Sequence, residues 1–105
     1  MSDSQKWKLL LEEDDTNELV VFSLAKALLD EKEFAEAERF LEKLTVLEPE
    51  HALGWAMLAR CRLQLGKREA ARAAVEAGMP IALRQRHETP ELELRSVLDE
   101  LDGEF

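Results

Sequence analysis

Two histidines, one cysteine and a run of acids are the residues of this chain that could do chemistry. His51, Cys61 and His87 stand far apart, and no CxxC or HExxH spacing sets two metal ligands on one turn or one helix face. His51 reads instead as a turn residue, and His87 as a cation near a helix C-terminus, where the backbone dipole favours positive charge. A nucleophilic Cys61 would need an adjacent base and a lowered pKa. It sits among Leu58, Ala59 and Leu63 in an apolar helical stretch, where a thiol serves as a small hydrophobe. The acids Glu12, Glu13, Asp14 and Asp15 lack the glycine turn and alternating oxygen ligands of a calcium loop. They read as solvated charge before the next helix. Gly66 stands alone, so no glycine loop cradles a phosphate. The sequence therefore predicts no catalytic residue, no metal and no cofactor; the chain is expected to bind rather than catalyse.

The elements that carry these residues are helical by composition. A chain of 105 residues holds one core. Apolar residues at 46% and charged residues at 35% suit a folded soluble domain. Four Gly and 3 Pro leave little room for long loops, and the wealth of Ala, Leu, Glu, Arg and Lys lowers the entropy cost of helix. The net charge of −9 is uneven: residues 1–51 carry 14 acids and 6 bases, residues 52–86 carry 2 and 7, and residues 87–105 carry 7 and 1. An acidic chain is poorly suited to releasing counterions from nucleic acid, and the central arginines read as helix faces paired with acids. A single cysteine forms no internal disulfide. Leu9–Leu11 is too short for a leader core, and no apolar run approaches the ~18 residues of a membrane span. No membrane partner and a cytoplasmic location are the expectations.

An offset of 34 relates two segments of the chain. Aligning Glu18 with Ala52 sets Leu24 over Leu58, Ala25 over Ala59, Leu29 over Leu63, Ala37 over Ala71 and Leu41 over Val75. This resembles the tetratricopeptide repeat, whose pattern of a bulky residue, Leu, small residues, Ala and a closing Pro is met by Val21, Leu24, Ala25, Phe34, Ala37, Leu41, Leu44, Leu47 and Pro49. The second segment supplies Trp55, Leu58, Ala59, Gly66, Ala71 and Val75, with Arg62 at a position where an aromatic is common, Gly78 at a usual small site, and no closing proline. The resemblance, to small bacterial members of the family, spans nearly the whole chain. It implies an all-α solenoid of antiparallel helix pairs, about six helices in all, with repeats at 18–51 and 52–85.

Each helix pair leaves apolar faces uncovered, so flanking helices must seal the stack. Over 5–13, Trp7, Leu10 and Leu11 fall at i, i+3 and i+4, the stripe of a capping helix with Trp7 and Leu10 inward. At the other end, Thr89 as cap, Pro90 and the acids Glu91 and Glu93 mark a helix start, and Leu94, Val97, Leu98 and Leu101 form its stripe over 90–101. Residues 102–105 are expected to fray. Between these, Pro80 and Gly78 predict a kink or break in the fourth repeat helix.

The resemblance places a concave groove on the first helix of each pair, over Leu19, Phe22, Ser23, Lys26 and Asp30, then Leu53, Ala56, Met57, Arg60 and Gln64. It implies an apolar floor with two cations, suited to a peptide or partner protein that presents apolar side chains and a carboxylate. The chaperone-tail clamp of some relatives needs further Lys and Asn residues; Phe22, Lys26 and Met57 hold the matching sites and keep one cation. The leading expectation is an adaptor or assembly factor. The alternatives are a homodimer formed through exposed solenoid ends and an accessory subunit of a larger complex.

Overall fold

The computed structural model describes residues 2–103. Six helices follow one another: α1 (Asp3–Glu13), α2 (Glu18–Asp30), α3 (Phe34–Leu47), α4 (Ala52–Gln64), α5 (Arg68–Gln85) and α6 (Glu88–Gly103). No strand occurs among the described residues. Neighbouring helices pack in sequence, and α6 lies against both α4 and α5, giving a slab of 42 × 29 × 19 Å.

The offset of 34 is written into the backbone. Asn17 caps α2 by accepting from the N–H groups of Leu19 and Val20, and His51, 34 residues on, caps α4 by accepting from Gly54 N–H at Nδ1 (2.9 Å). Both helices end on a left-handed residue, Lys32 (φ 62°) and Gly66 (φ 77°). At each end the next amide reaches back to close a Schellman turn: Glu33 N–H donates to Leu28 C=O at 2.8 Å, and Lys67 N–H to Arg62 C=O at 2.9 Å. Equivalent positions thus solve the same problem of orphan helix-end groups in the same way.

Small residues let the helices approach. Ala25, Ala37, Ala59 and Ala71 are completely buried, and with Leu24, Leu28, Leu41, Leu58, Leu94 and Val97 they form one continuous core from α2 to α6. Each fully buried leucine contributes roughly 1.5–3 kcal/mol relative to an exposed one. The central helix, α4, is covered on several sides, which is why Ala52, Gly54, Ala56, Leu58, Ala59 and Cys61 are all buried along it. Gly78 of α5 is a contact residue: a Cβ there would stand 2.6 Å from the Trp55 Cβ. Trp55 in turn donates its indole N–H to the Pro49 carbonyl at 2.8 Å.

The ends depart from expectation in detail. Helix α1 begins at Asp3 under a Ser2–Gln5 capping box. It docks through polar contacts: Ser4, which is buried, donates from N–H and hydroxyl to the Glu31 carboxylate (3.1 and 2.7 Å), and Lys8 pairs with Glu36 at 2.6 Å. Trp7 packs on the core, but Leu10, expected inward, is 47% exposed. Helix α5 runs unbroken through Pro80. Pro80 and Glu76 are both exposed, so the carbonyl that the proline leaves without a donor can turn to water. Helix α6 starts at Glu88, ahead of Thr89, so Thr89 lies inside the first turn and is not the cap. It continues to Gly103, with Asp102 accepting from Arg72 at 2.8 Å; of the residues expected to fray, Glu104 and Phe105 lie outside the described residues.

Candidate binding groove

Helices α2, α4 and α6 present one side to a shared depression of about 460 Å³, lined by Leu29 of α2, Leu53, Met57 and Arg60 of α4, and Thr89, Leu92 and Glu93 of α6. Its floor is apolar, and Leu92 stands 56% exposed at its edge. The expected groove residues of α2 line a separate depression of about 310 Å³, where Leu19, Phe22, Ser23, Lys26 and Asp30 meet Asp3 and Trp7 of α1. A third hollow of about 410 Å³ joins the two stripes through Phe22 and Leu53 and includes Glu50, His51, Gln85 and His87. Gln64 lies elsewhere, beside Gly66 and Arg68. The single stripe expected from the sequence is therefore two adjoining depressions.

Two of the expected groove residues take other roles. Ala56 is completely buried among the helices packed around α4 and offers a ligand nothing. Arg60 is engaged by α6: its Nε donates to Glu93 at 2.7 Å, its Nη2 to Ser96 at 2.9 Å, and its Nη1 to Glu100. Burial works against its charge, but the two carboxylates outweigh burial and raise the guanidinium pKa further. The expected pair of free cations is thus reduced to Lys26, which has no ion-pair partner among the described residues. Phe22 is half-buried with its ring 5.1 Å from that of His51.

Four other central bases are also committed. Arg62, at the position where an aromatic is common, bonds Glu38 (3.3 Å), Glu42 (3.1 Å) and the Ala70 carbonyl (3.1 Å). Lys67 adds a 2.6 Å bond to Glu38, a carboxylate that is nearly buried. Arg72 pairs with Asp102 and Arg84 with Glu50.

The chemistry-bearing residues do not converge. His51 and His87 line one hollow, whereas Cys61 is in the core, donating its S–H to the Phe34 carbonyl at 3.1 Å. Burial, then the Glu38 charge, raise its thiol pKa to about 11. No three His, Cys, Asp or Glu gather as a metal set among the described residues, and no helix there is long and apolar enough to cross a membrane.

Of the residues lining this depression, sequence reading missed Leu29 and, above all, Thr89, Leu92 and Glu93, the α6 wall. A signal for this wall existed. Helix α4 starts at Ala52 and α6 at Glu88, an offset of 36. At that offset Leu58 maps to Leu94, Cys61 to Val97, Leu53 to Thr89 and Met57 to Glu93. Helix α6 thus stands as the first helix of a third unit, two residues out of register because α5 is long.

Among known proteins, a tetratricopeptide repeat family model matches residues 28–87. No curated protein matches the sequence. Of 17 matching solved chains, the solution structure of protein BPP2914 from Bordetella parapertussis is similar with a TM-score of 0.82. The likeness covers 98% of this chain and 90% of that one at 23% identity, and is a likeness of fold.

Proposed function

This chain belongs to the tetratricopeptide repeat family, and from that membership we propose that it is a non-enzymatic adaptor or assembly factor holding a peptide or partner protein in the depression between α2, α4 and α6. The family's folds act in general as protein interaction modules, and stacked repeats create concave binding surfaces. The observation that carries the reading is the apolar set that the three first-type helices turn to the depression, the half-buried Leu29, Leu53 and Met57 with the exposed Leu92 at its edge. Met57 can adapt its shape to a ligand, and a few such residues carry most of the affinity in an interface of this kind. Phe22, Leu19, Ser23 and Lys26 extend the surface on the α1 side, with Lys26 its free cation. Affinity capture from the source cells, comparing the native chain with Leu53→Lys and Leu92→Lys, tests it. Partners lost in both variants support the groove; an unchanged partner set refutes it.

A second reading has its own observation. Leu9 (52% exposed), Leu10 and Leu19 (68%) leave apolar surface on α1 and the first turn of α2, which suits pairing with a second copy or docking into a larger complex. Light scattering across a concentration series separates the two, since a mass fixed at one chain removes the homodimer.

A further inference from the structure

We propose that the α2–α4–α6 depression takes a basic amphipathic segment, one whose apolar side chains are flanked by lysine or arginine. This rests on the reading of that depression as the binding surface and adds the charge of its ligand. Arg60, the only base among the described residues of its lining, faces two carboxylates, so the cluster Arg60, Glu93 and Glu100 carries one negative charge in excess. Helix α6, whose Thr89, Leu92 and Glu93 form one wall, carries Glu88, Glu91, Glu93, Asp99, Glu100 and Asp102; its own Arg95 pairs with Glu91 at 3.0 Å, and Arg60 and Arg72 reach it from α4 and α5, so acids still exceed these bases by three. Of the other central bases, Arg62, Lys67 and Arg84 are paired with acids outside α6, namely Glu38, Glu42 and Glu50. Lys26 belongs to the neighbouring depression, where Asp3 and Asp30 accompany it.

The division of labour follows from the chemistry. The apolar floor supplies affinity in proportion to the surface it covers. The surrounding acids set polarity and association rate, attracting cationic ligands and opposing anionic ones, with a reach of about 8 Å at physiological salt. An acidic peptide would meet an acidic wall with no unpaired base in the floor. This reverses the carboxylate ligand that the free-cation expectation implied.

The test is an NMR titration of the isotope-labelled full chain with two synthetic peptides of identical leucine spacing, one with lysine and the other with glutamate at every polar position. The lysine peptide is expected to shift the amides of Leu53, Met57 and Leu92 and to bind about tenfold or more tightly than the glutamate peptide, a gap that narrows as salt rises. Leu92→Lys, at an exposed site, is expected to abolish the shifts while helicity is kept. If the glutamate peptide binds the same residues equally well or better, the charge inference is overturned and the groove reading stands. If the lysine peptide moves other amides, or neither peptide moves these at millimolar concentration, both are overturned. Groove shifts that appear on concentrating the protein alone would assign the depression to a second copy and overturn the proposal as well.

Discussion

Gly78 and Trp55 hold α5 and α4 at a separation that no side chain larger than hydrogen permits. A Cβ on Gly78 would fall 2.6 Å from the Trp55 Cβ and 3.3 Å from Leu94 Cδ1. The first of these atoms is fixed to the α4 backbone and cannot swing away. Gly78→Ala would gain about 1 kcal/mol of helix propensity and lose about 2–3 kcal/mol, the upper part of the usual overpacking range, because the backbone itself must shift, so the contact wins. A urea melt should show net destabilisation of about 1–2 kcal/mol; a midpoint equal to the native one contradicts the close approach. Gly54→Ala is the milder comparison, because its nearest neighbour is the mobile Leu44 Cδ2 at 3.0 Å.

Lys32 and Gly66 occupy the same left-handed position at the ends of α2 and α4, but only one of them is glycine. A side chain in that region costs about 1–2 kcal/mol. Lys32→Gly should recover about 0.5–1 kcal/mol after the added freedom of the unfolded chain is subtracted, and Gly66→Ala should lose about 1 kcal/mol. No atom lies within 4 Å of a Cβ on Gly66, so the loss reports the backbone alone. Thermal unfolding of both variants checks the pair, and shifts of the same sign would exclude a shared turn geometry.

The fold was legible because its signals are local or strictly spaced. Val21, Leu24, Ala25, Ala37 and Leu41 announce their burial by helical period, and the offset of 34 pairs them with counterparts. What stayed hidden depends on distant partners. Arg60 looks like a free groove cation until Glu93 and Glu100 are placed beside it across 33 and 40 residues. Ala56 fits a groove position in the family pattern, which does not say how closely helices crowd around α4. The α6 wall was missed because a long α5 moves the third unit out of the register that revealed the first two. Pro80 looked like a break because sequence does not reveal that it faces solvent.

Cys61 should be chemically silent until the chain unfolds. Its thiol is fully buried, bonded to the Phe34 carbonyl and pushed up to about 11 by burial and the Glu38 charge, leaving almost no thiolate at neutral pH. The folded chain thus holds this proton longer than the unfolded chain, whose thiol titrates near 9.0. The resulting stabilisation is fully present below pH 9 and is lost as pH rises towards 11. The difference in stability between the native chain and Cys61→Ala should be level to about pH 9 and shrink above it. Alkylation at pH 8 should be slow in buffer and fast in denaturant. Rapid labelling of the folded chain would show that the sulfur is accessible.

Arg60 and Leu94 both attach α6 to the stack, and magnitudes decide which dominates. The Arg60 pairs with Glu93 and Glu100 are partly solvated, so each contributes up to about 1 kcal/mol and is screened by salt. Leu94 is completely buried with Val97 beside it on the same stripe, and truncation to alanine costs about 2–5 kcal/mol through lost transfer energy and the cavity left behind. Arg60→Gln should therefore destabilise by about 1 kcal/mol, less at high salt, and Leu94→Ala by at least twice that at any salt. Arg60→Glu sets a third carboxylate against Glu93 and Glu100 and should fall between them, with the greatest loss of amide-exchange protection in α6. That variant loosens the groove wall as well as changing its charge, so a binding defect in it would not by itself identify Arg60 as a ligand contact. If Arg60→Gln proves as damaging as Leu94→Ala at high salt, the ion pairs and not the apolar stripe hold α6 in place.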